Sequence, residues 1–316
     1  MSLIEKAAQR LDKLKQASAD PDAEDALLQA VAAANVAPAV EAEPEQPSPQ
    51  SSAVPRHVTQ TSNPVMSRTA RIDLDRLDAI GMVSPEHPRK AIAEEYRVIK
   101  RPLLRNAMAT GPASIEDGNL IMVTSAMPGE GKTFSAINLA VSMAMELDYT
   151  VLLVDADVSR PSVLRQLGLP QERGLMDVLA GEIDDLSEVL LRTNIEKLSI
   201  LPAGMPHQRA TELLASESMT RLIDQIASRY PDRVIVFDSP PLLVTTESRV
   251  LATHMGQIVL VVEAERTTRA TVQQALNTIE SCPVKLMLLN KTRQSRGGGY
   301  YGYGYGYGDR ARDEAA

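Results

Sequence analysis

The sequence predicts an α/β fold: a mostly parallel β-sheet flanked by helices on both faces, with a disordered N-terminal linker before it and a tyrosine-rich tail after it. Three observations predict this. Six short apolar runs, at 120–124, 151–154, 198–201, 234–237, 258–262 and 285–289, alternate with helical patterns. Strands that alternate with helices build βαβ units and therefore a parallel sheet. The first run opens onto a glycine-containing loop that leads into a helix, and two later runs end in aspartate. Open α/β sheets gather ligands at the carboxyl ends of their strands, so chemistry is expected there.

The elements follow in order. Leu3, Ile4, Ala7, Ala8, Leu11 and Leu14 fall at helical spacing and predict a short amphipathic helix over 1–16. Its polar face mixes both signs of charge, which suits a partner helix as well as a membrane surface. Residues 17–68 are rich in Ala, Pro, Ser, Gln and acid, the composition of a linker that cannot bury a core. The folded domain is expected over 69–295 and a flexible tail over 296–316. Within the domain a helix is expected over 88–108, bent or broken at Pro102. Further helices are expected over 132–147, 175–180, 211–230, 248–254 and 267–280.

Composition narrows the function classes. The chain has 316 residues and a formal net charge of -8, an acidic balance that argues against nucleic acid as a partner. It has no Trp and two Phe, so the core must be aliphatic. A single cysteine, Cys282, excludes an intrachain disulfide and fits a reducing, cytoplasmic compartment. No run approaches the roughly 18 apolar residues of a membrane span, and the N-terminus lacks a signal-peptide pattern. His57, His87, His207 and His254 show no metal-ligand spacing.

The loop after the first strand reads Ala126-Met127-Pro128-Gly129-Glu130-Gly131-Lys132-Thr133. It matches a phosphate-binding P-loop, with alanine at the first position where glycine is commoner. Gly129 and Gly131 let backbone N–H groups converge on phosphate oxygens, and the following helix adds its positive end. Met127, Pro128, Gly129, Glu130, Gly131, Lys132, Thr133 and Phe134 are therefore the expected nucleotide-binding set. Lys132 is expected at the β- and γ-phosphates and Thr133 at Mg²⁺. The second run ends in Asp155-Ala156-Asp157, whose carboxylates share a face if the segment stays extended. One is expected to activate an acceptor hydroxyl and the other to organise Mg²⁺. Asp238 ends a further strand and is a second candidate for Mg²⁺.

Five of the chain's eight tyrosines, Tyr300, Tyr301, Tyr303, Tyr305 and Tyr307, lie within eight residues, four of them set apart by single glycines. Glycine offers nothing to pack against, so these hydroxyls are expected in solvent, available as phosphoryl acceptors. A low-complexity adhesive tail is the alternative reading.

Together these motifs resemble the bacterial tyrosine kinases, a branch of the MinD/ParA-like P-loop ATPases, over roughly residues 87–307. The loop resembles that family's Walker A, VLLVDADVSRP its Walker A′ and VIVFDSPP its Walker B. Met127 stands where MinD/ParA ATPases carry a signature lysine. The resemblance is most detailed to exopolysaccharide- and exosortase-associated autokinases. It implies a P-loop NTPase fold, ATP and Mg²⁺, autophosphorylation of the tail, and catalytic roles for Lys132, Asp155, Asp157 and Asp238. It implies adenine contact by Asn290. It implies ring assembly through Glu94, Arg97 and Lys100, a separate membrane polysaccharide co-polymerase as activator that recruits the protein to the inner face of the membrane, and a cognate tyrosine phosphatase. Two positions depart from the family pattern. Ser159 stands where the A′ motif has arginine, with Arg160 next, and Lys100 ends the ring motif in place of arginine. Lysine keeps the charge but not the planar bidentate pairing. The rival class is a MinD/ParA-type switch, or a scaffold, that phosphorylates nothing. The P-loop and acids fit both classes; the tail and Met127 favour the kinase.

Overall fold

Eight strands form one sheet in the computed structural model, which describes residues 68–228 and 232–293. They are β1 (Arg68–Ala70), β2 (Leu120–Ser125), β3 (Thr150–Asp155), β4 (Leu191–Thr193), β5 (Leu198–Leu201), β6 (Arg233–Asp238), β7 (Gln257–Glu263) and β8 (Val284–Asn290). Their order across the sheet is β1-β4-β5-β3-β6-β2-β7-β8, and every neighbouring pair is parallel except β4–β5. The helices are α1 (Leu74–Ala79), α2 (Ala91–Ala107), α3 (Lys132–Ala144), α4 (Val163–Leu167), α5 (Leu175–Leu179), α6 (Ala210–Leu214), α7 (Glu217–Ser228), α8 (Glu247–Ala252) and α9 (Arg269–Asn277).

The central strands are apolar runs because both of their faces are covered. Alternate residues feed two separate cores. Met122, Leu152, Val154, Ile235, Phe237 and Leu260 pack on one side of the sheet. Ile121, Val123, Leu153, Val234, Val236 and Val261 pack on the other, against α2 and α3. Burying each such side chain contributes about 1.5–3 kcal/mol. Register does the functional work. Asp155 and Asp238 are direct partners at the ends of β3 and β6, and Val123 of β2 also pairs with Asp238. The P-loop leaves β2 beside both acids.

Several elements differ from the sequence expectation. The helix expected from residue 88 starts at Ala91 and continues through Pro102 to Ala107. Proline removes the bond to the carbonyl of Val98, and Val98 lies on the solvent side of α2, 72% exposed, where water can replace that bond. The helix expected over 211–230 is two helices. Ser216 lies between them, and its hydroxyl donates to Leu213 O (2.7 Å) and accepts from Met219 N (3.4 Å), capping the second. β1 and β4 have three residues each, too few to show a period. The short helix α1 was also missed; Asp73 caps it by accepting from Arg76 N at 3.0 Å. Among the described residues no helix is long and apolar enough to cross a membrane.

Candidate active site

Gly129 and Gly131 both take left-handed conformations, with φ of 87° and 99°. At Gly131 a side chain is excluded twice over, because a Cβ would lie 2.1 Å from Asn290 Nδ2. The loop is braced from within and from neighbouring strands. Glu130 is buried, and its carboxylate accepts from Met127 N (2.7 Å) and from the Thr267 hydroxyl. Asn290 Nδ2 donates to Glu130 O (2.9 Å), and Lys291 Nζ donates to Gly129 O (2.7 Å). Asn290 therefore stands against the phosphate loop, bonded to its backbone. Pro128 is exposed and Met127 is half-exposed. The Phe134 ring packs against the core beneath α3, so what it can offer a phosphate is its N–H.

Behind the loop lie one cation and three acids, all largely removed from solvent. Lys132 Nζ donates to Asp157 Oδ2 at 2.6 Å and to Thr133 Oγ1 at 3.3 Å, and lies 3.7 Å from Asp238 Oδ1. Burial disfavours the Lys132 ammonium, but the Asp238 and Asp157 carboxylates outweigh it and hold the group above its ordinary value. Asp157 Oδ1 accepts from Arg160 N (3.2 Å). Asp155 Oδ2 accepts from Ser162 N (3.1 Å) and Val163 N (3.0 Å) at the start of α4. Burial, reinforced by Asp238, pushes Asp155 up to about 7. Burial pushes Asp238 up to about 6 against the pull of Lys132.

Three carboxylate oxygens here, Asp155 Oδ1 and both of Asp238, are buried with no hydrogen-bond partner. Orphaned anionic oxygens of this kind fit a divalent cation. Among the described residues no three His, Cys, Asp or Glu side chains close a protein-only metal cage. Mg²⁺ is usually held by one or two carboxylates together with substrate phosphates. Thr133, expected at the metal, is buried and accepts from the Ser162 hydroxyl at 3.0 Å.

The structure thus brings Lys132, Thr133, Asp155, Asp157 and Asp238 together. The strand alternation that sequence reasoning used for the two A′ acids does not hold, because β3 ends at Asp155. Both still point inward, Asp157 toward Lys132 and Asp155 toward the start of α4. The expected interface set does not stay together either. Glu94 and Arg97 pair with each other on the surface of α2. Lys100 is a correction: it turns into the protein, where its ammonium donates to Ser142 O and pairs with Glu146 Oε1 at 2.9 Å. Positions 97 and 100 are three apart, but α2 packs on α3 with the side that carries Lys100. Tyr300, Tyr301, Tyr303, Tyr305 and Tyr307 lie outside the described residues, as does the helix expected over 1–16. Sequence reasoning missed Ser162, Thr267, Lys291 and the inward role of the Glu130 side chain. The one available signal was Glu130 itself, an acid in a loop built to receive anions.

Residues 118–291 match the family model described as AAA domain. The chain is 30% identical to the tyrosine-protein kinase CpsD of Streptococcus agalactiae over 57% of its own length and 78% of that protein. The chain belongs to the bacterial tyrosine-protein kinases. It is also 29% identical to tyrosine-protein kinase YwqD of Bacillus subtilis, over 70% of this chain and 91% of that one. Against longer members it spans less, 26% of tyrosine-protein kinase wzc of Salmonella typhimurium. The kinase domain of the Escherichia coli tyrosine kinase ETK superposes with a TM-score of 0.61 at 27% identity, over 75% of this chain and 88% of that one. Family membership accounts for the parallel sheet, the P-loop and the two acid-ended strands.

Proposed function

We propose that the chain is an ATP-dependent protein-tyrosine autokinase that phosphorylates its C-terminal tyrosine cluster and thereby regulates exopolysaccharide synthesis or export. The observation that carries this is the buried Lys132–Asp157–Asp238–Asp155 cluster directly behind a preformed phosphate loop. ATP with Mg²⁺ supplies the phosphoryl group. Lys132 exchanges Asp157 for the β- and γ-phosphates and stabilises charge on the group in transfer. Asp157, Asp238 and Thr133 would hold Mg²⁺, which would neutralise charge on the phosphates. Asp155 takes the proton of the incoming tyrosine hydroxyl; a carboxylate raised to about 7 suits a base near neutral pH. Asn290 lies next to the loop, where it can meet adenine.

The acceptor tail reaches the site from a neighbouring subunit in an oligomer, with Glu94 and Arg97 on the surface of α2 contributing to assembly and Lys100 excluded from it. The protein works in the cytoplasm, recruited to the membrane by a polysaccharide co-polymerase that activates it, and a tyrosine phosphatase resets the tail. The test is incubation of the full chain with labelled ATP, followed by anti-phosphotyrosine blotting and mass spectrometry. Label on Tyr300–Tyr307 is expected. A chain that hydrolyses ATP yet never labels itself, alone or with the activator, defeats the reading and leaves an ATPase switch.

A further inference from the structure

β5 and β6 flank β3 in the sheet and β2 lies next to β6, and the loops that leave β5, β6 and β2 each expose a large apolar side chain. Met205 is 50% exposed after β5, Val244 is 55% exposed after β6, and Met127 is 44% exposed after β2. Apolar side chains left in solvent on loops beside a charged cluster can receive an apolar segment that approaches the cluster. The loops are held in place. Met205 N donates to the buried Asp177 at 3.2 Å. Leu242 N and Leu243 N donate to Ser125 O (2.8 Å) and Ala126 O (3.3 Å), which lays the segment before Val244 along the base of the P-loop. Thr211 Oγ1 of α6 donates to Glu247 Oε1 of α8 at 2.7 Å, tying together the two helices that follow the Met205 and Val244 loops.

From these observations we propose that Met205 and Val244 are specificity-determining residues that seat the uncharged Gly–Tyr segment of the tail, residues 297–308, as it presents each tyrosine to Asp155. This rests on the kinase reading above and names its acceptor surface. Residues 202–208 and 239–246 contain no Asp, Glu, Lys or Arg, and neither do residues 297–308. An uncharged segment crosses an uncharged rim to reach an acid-rich floor, and the charged residues from Asp309 onward stay outside it. Methionine suits the task on two counts. Its thioether makes favourable contacts with aromatic rings, and its unbranched chain adapts to varied partners. Five acceptors at nearly equal spacing, each with glycine beside it, need one surface that accepts them all in turn, so a plastic rim is required rather than a shaped pocket.

The test uses the full chain with its five tail tyrosines changed to phenylalanine as the enzyme, and a synthetic peptide of residues 297–308 as the acceptor. Met205→Gln and Val244→Thr keep size and remove apolar character; both side chains are half-exposed, so the fold does not depend on them. The double variant is expected to raise KM for the peptide about tenfold, by loss of apolar and sulfur–aromatic contact. Its kcat at saturating peptide and its affinity for ATP are expected to stay unchanged, and Met205→Leu is expected to restore most of the lost affinity. Fluorescence anisotropy with a labelled all-phenylalanine peptide reads the same surface without chemistry. Unchanged KM and unchanged peptide binding in the double variant overturn the proposal. Peptide that binds through Met205 and Val244 but is never phosphorylated upholds the rim and defeats the kinase reading instead.

Discussion

Lys132→Met is expected to abolish phosphoryl transfer, and the structure adds an effect on stability. Lys132 is the cation that faces Asp157 at 2.6 Å and Asp238 at 3.7 Å, with side-chain exposures of 11%, 6% and 0%. Methionine fills the same space and removes the charge. Breaking a buried ion pair by deleting one partner destabilises by about 3–5 kcal/mol. For a folded unit of this size that corresponds to a fall in Tm of roughly 6–20 °C, at about 2–4 °C per kcal/mol. The acids respond by taking up protons, which sets the pH dependence. Asp155 and Asp238 already sit above their unfolded values in the wild type, at about 7 and about 6. A carboxylate raised in the folded state binds more protons folded than unfolded, so stability falls as pH rises from about 4 to the folded pKa. Without Lys132 both pKa values move higher, and this window extends above pH 7. Differential scanning fluorimetry of wild type and variant at about pH 5 and about pH 8 is the assay, with the gap in Tm expected to be wide at the higher pH and narrow at the lower. Parallel incubation with labelled ATP reads transfer. Equal melting at about pH 8, or retained labelling, refutes the assignment of Lys132 to a buried charge cluster at the transfer site.

Four further outcomes are expected. Phenylalanine at Tyr300, Tyr301, Tyr303, Tyr305 and Tyr307 should remove nearly all self-labelling while calorimetry shows ATP binding intact; phosphate found mainly on Tyr96, Tyr149 or Tyr230 would count against the tail. Glu130→Ala frees Met127 N–H and the Thr267 hydroxyl together and should weaken ATP binding about tenfold or more, since unmade buried hydrogen bonds cost about 1–3 kcal/mol each; titration calorimetry decides. Lys100→Met should lower Tm and leave the mass of any oligomer unchanged, whereas Arg97→Ala should leave Tm unchanged and reduce that mass, both read by light scattering beside fluorimetry. The rate of self-labelling should rise with pH through about 7, as Asp155 loses its proton, and Asp155→Asn should flatten that rise.

The sheet's central strands, the loop between β2 and α3, and the acids that end β3 and β6 are legible in the sequence. These are local signals. A parallel strand buried on both faces must be an unbroken apolar run, and a phosphate loop must place glycines where the backbone turns left-handed. Contacts between distant segments supply what no local pattern encodes. Asp155 and Asp238, 83 positions apart in the chain, became neighbours through the register of β3 against β6. Three of their oxygens are buried without a hydrogen-bond partner, a consequence of where the folded chain places them. Glu130 turned inward because Thr267, 137 positions away in the chain, supplies a hydroxyl there. Lys100 left the surface for the same kind of reason. Helical spacing gives a residue's angle around α2, but the side of α2 that meets α3 is set by packing between distant segments. Glu146, which receives Lys100, lies 46 positions further along the chain. A charged residue is stable indoors only where such a partner waits, and the presence of that partner is a property of the fold.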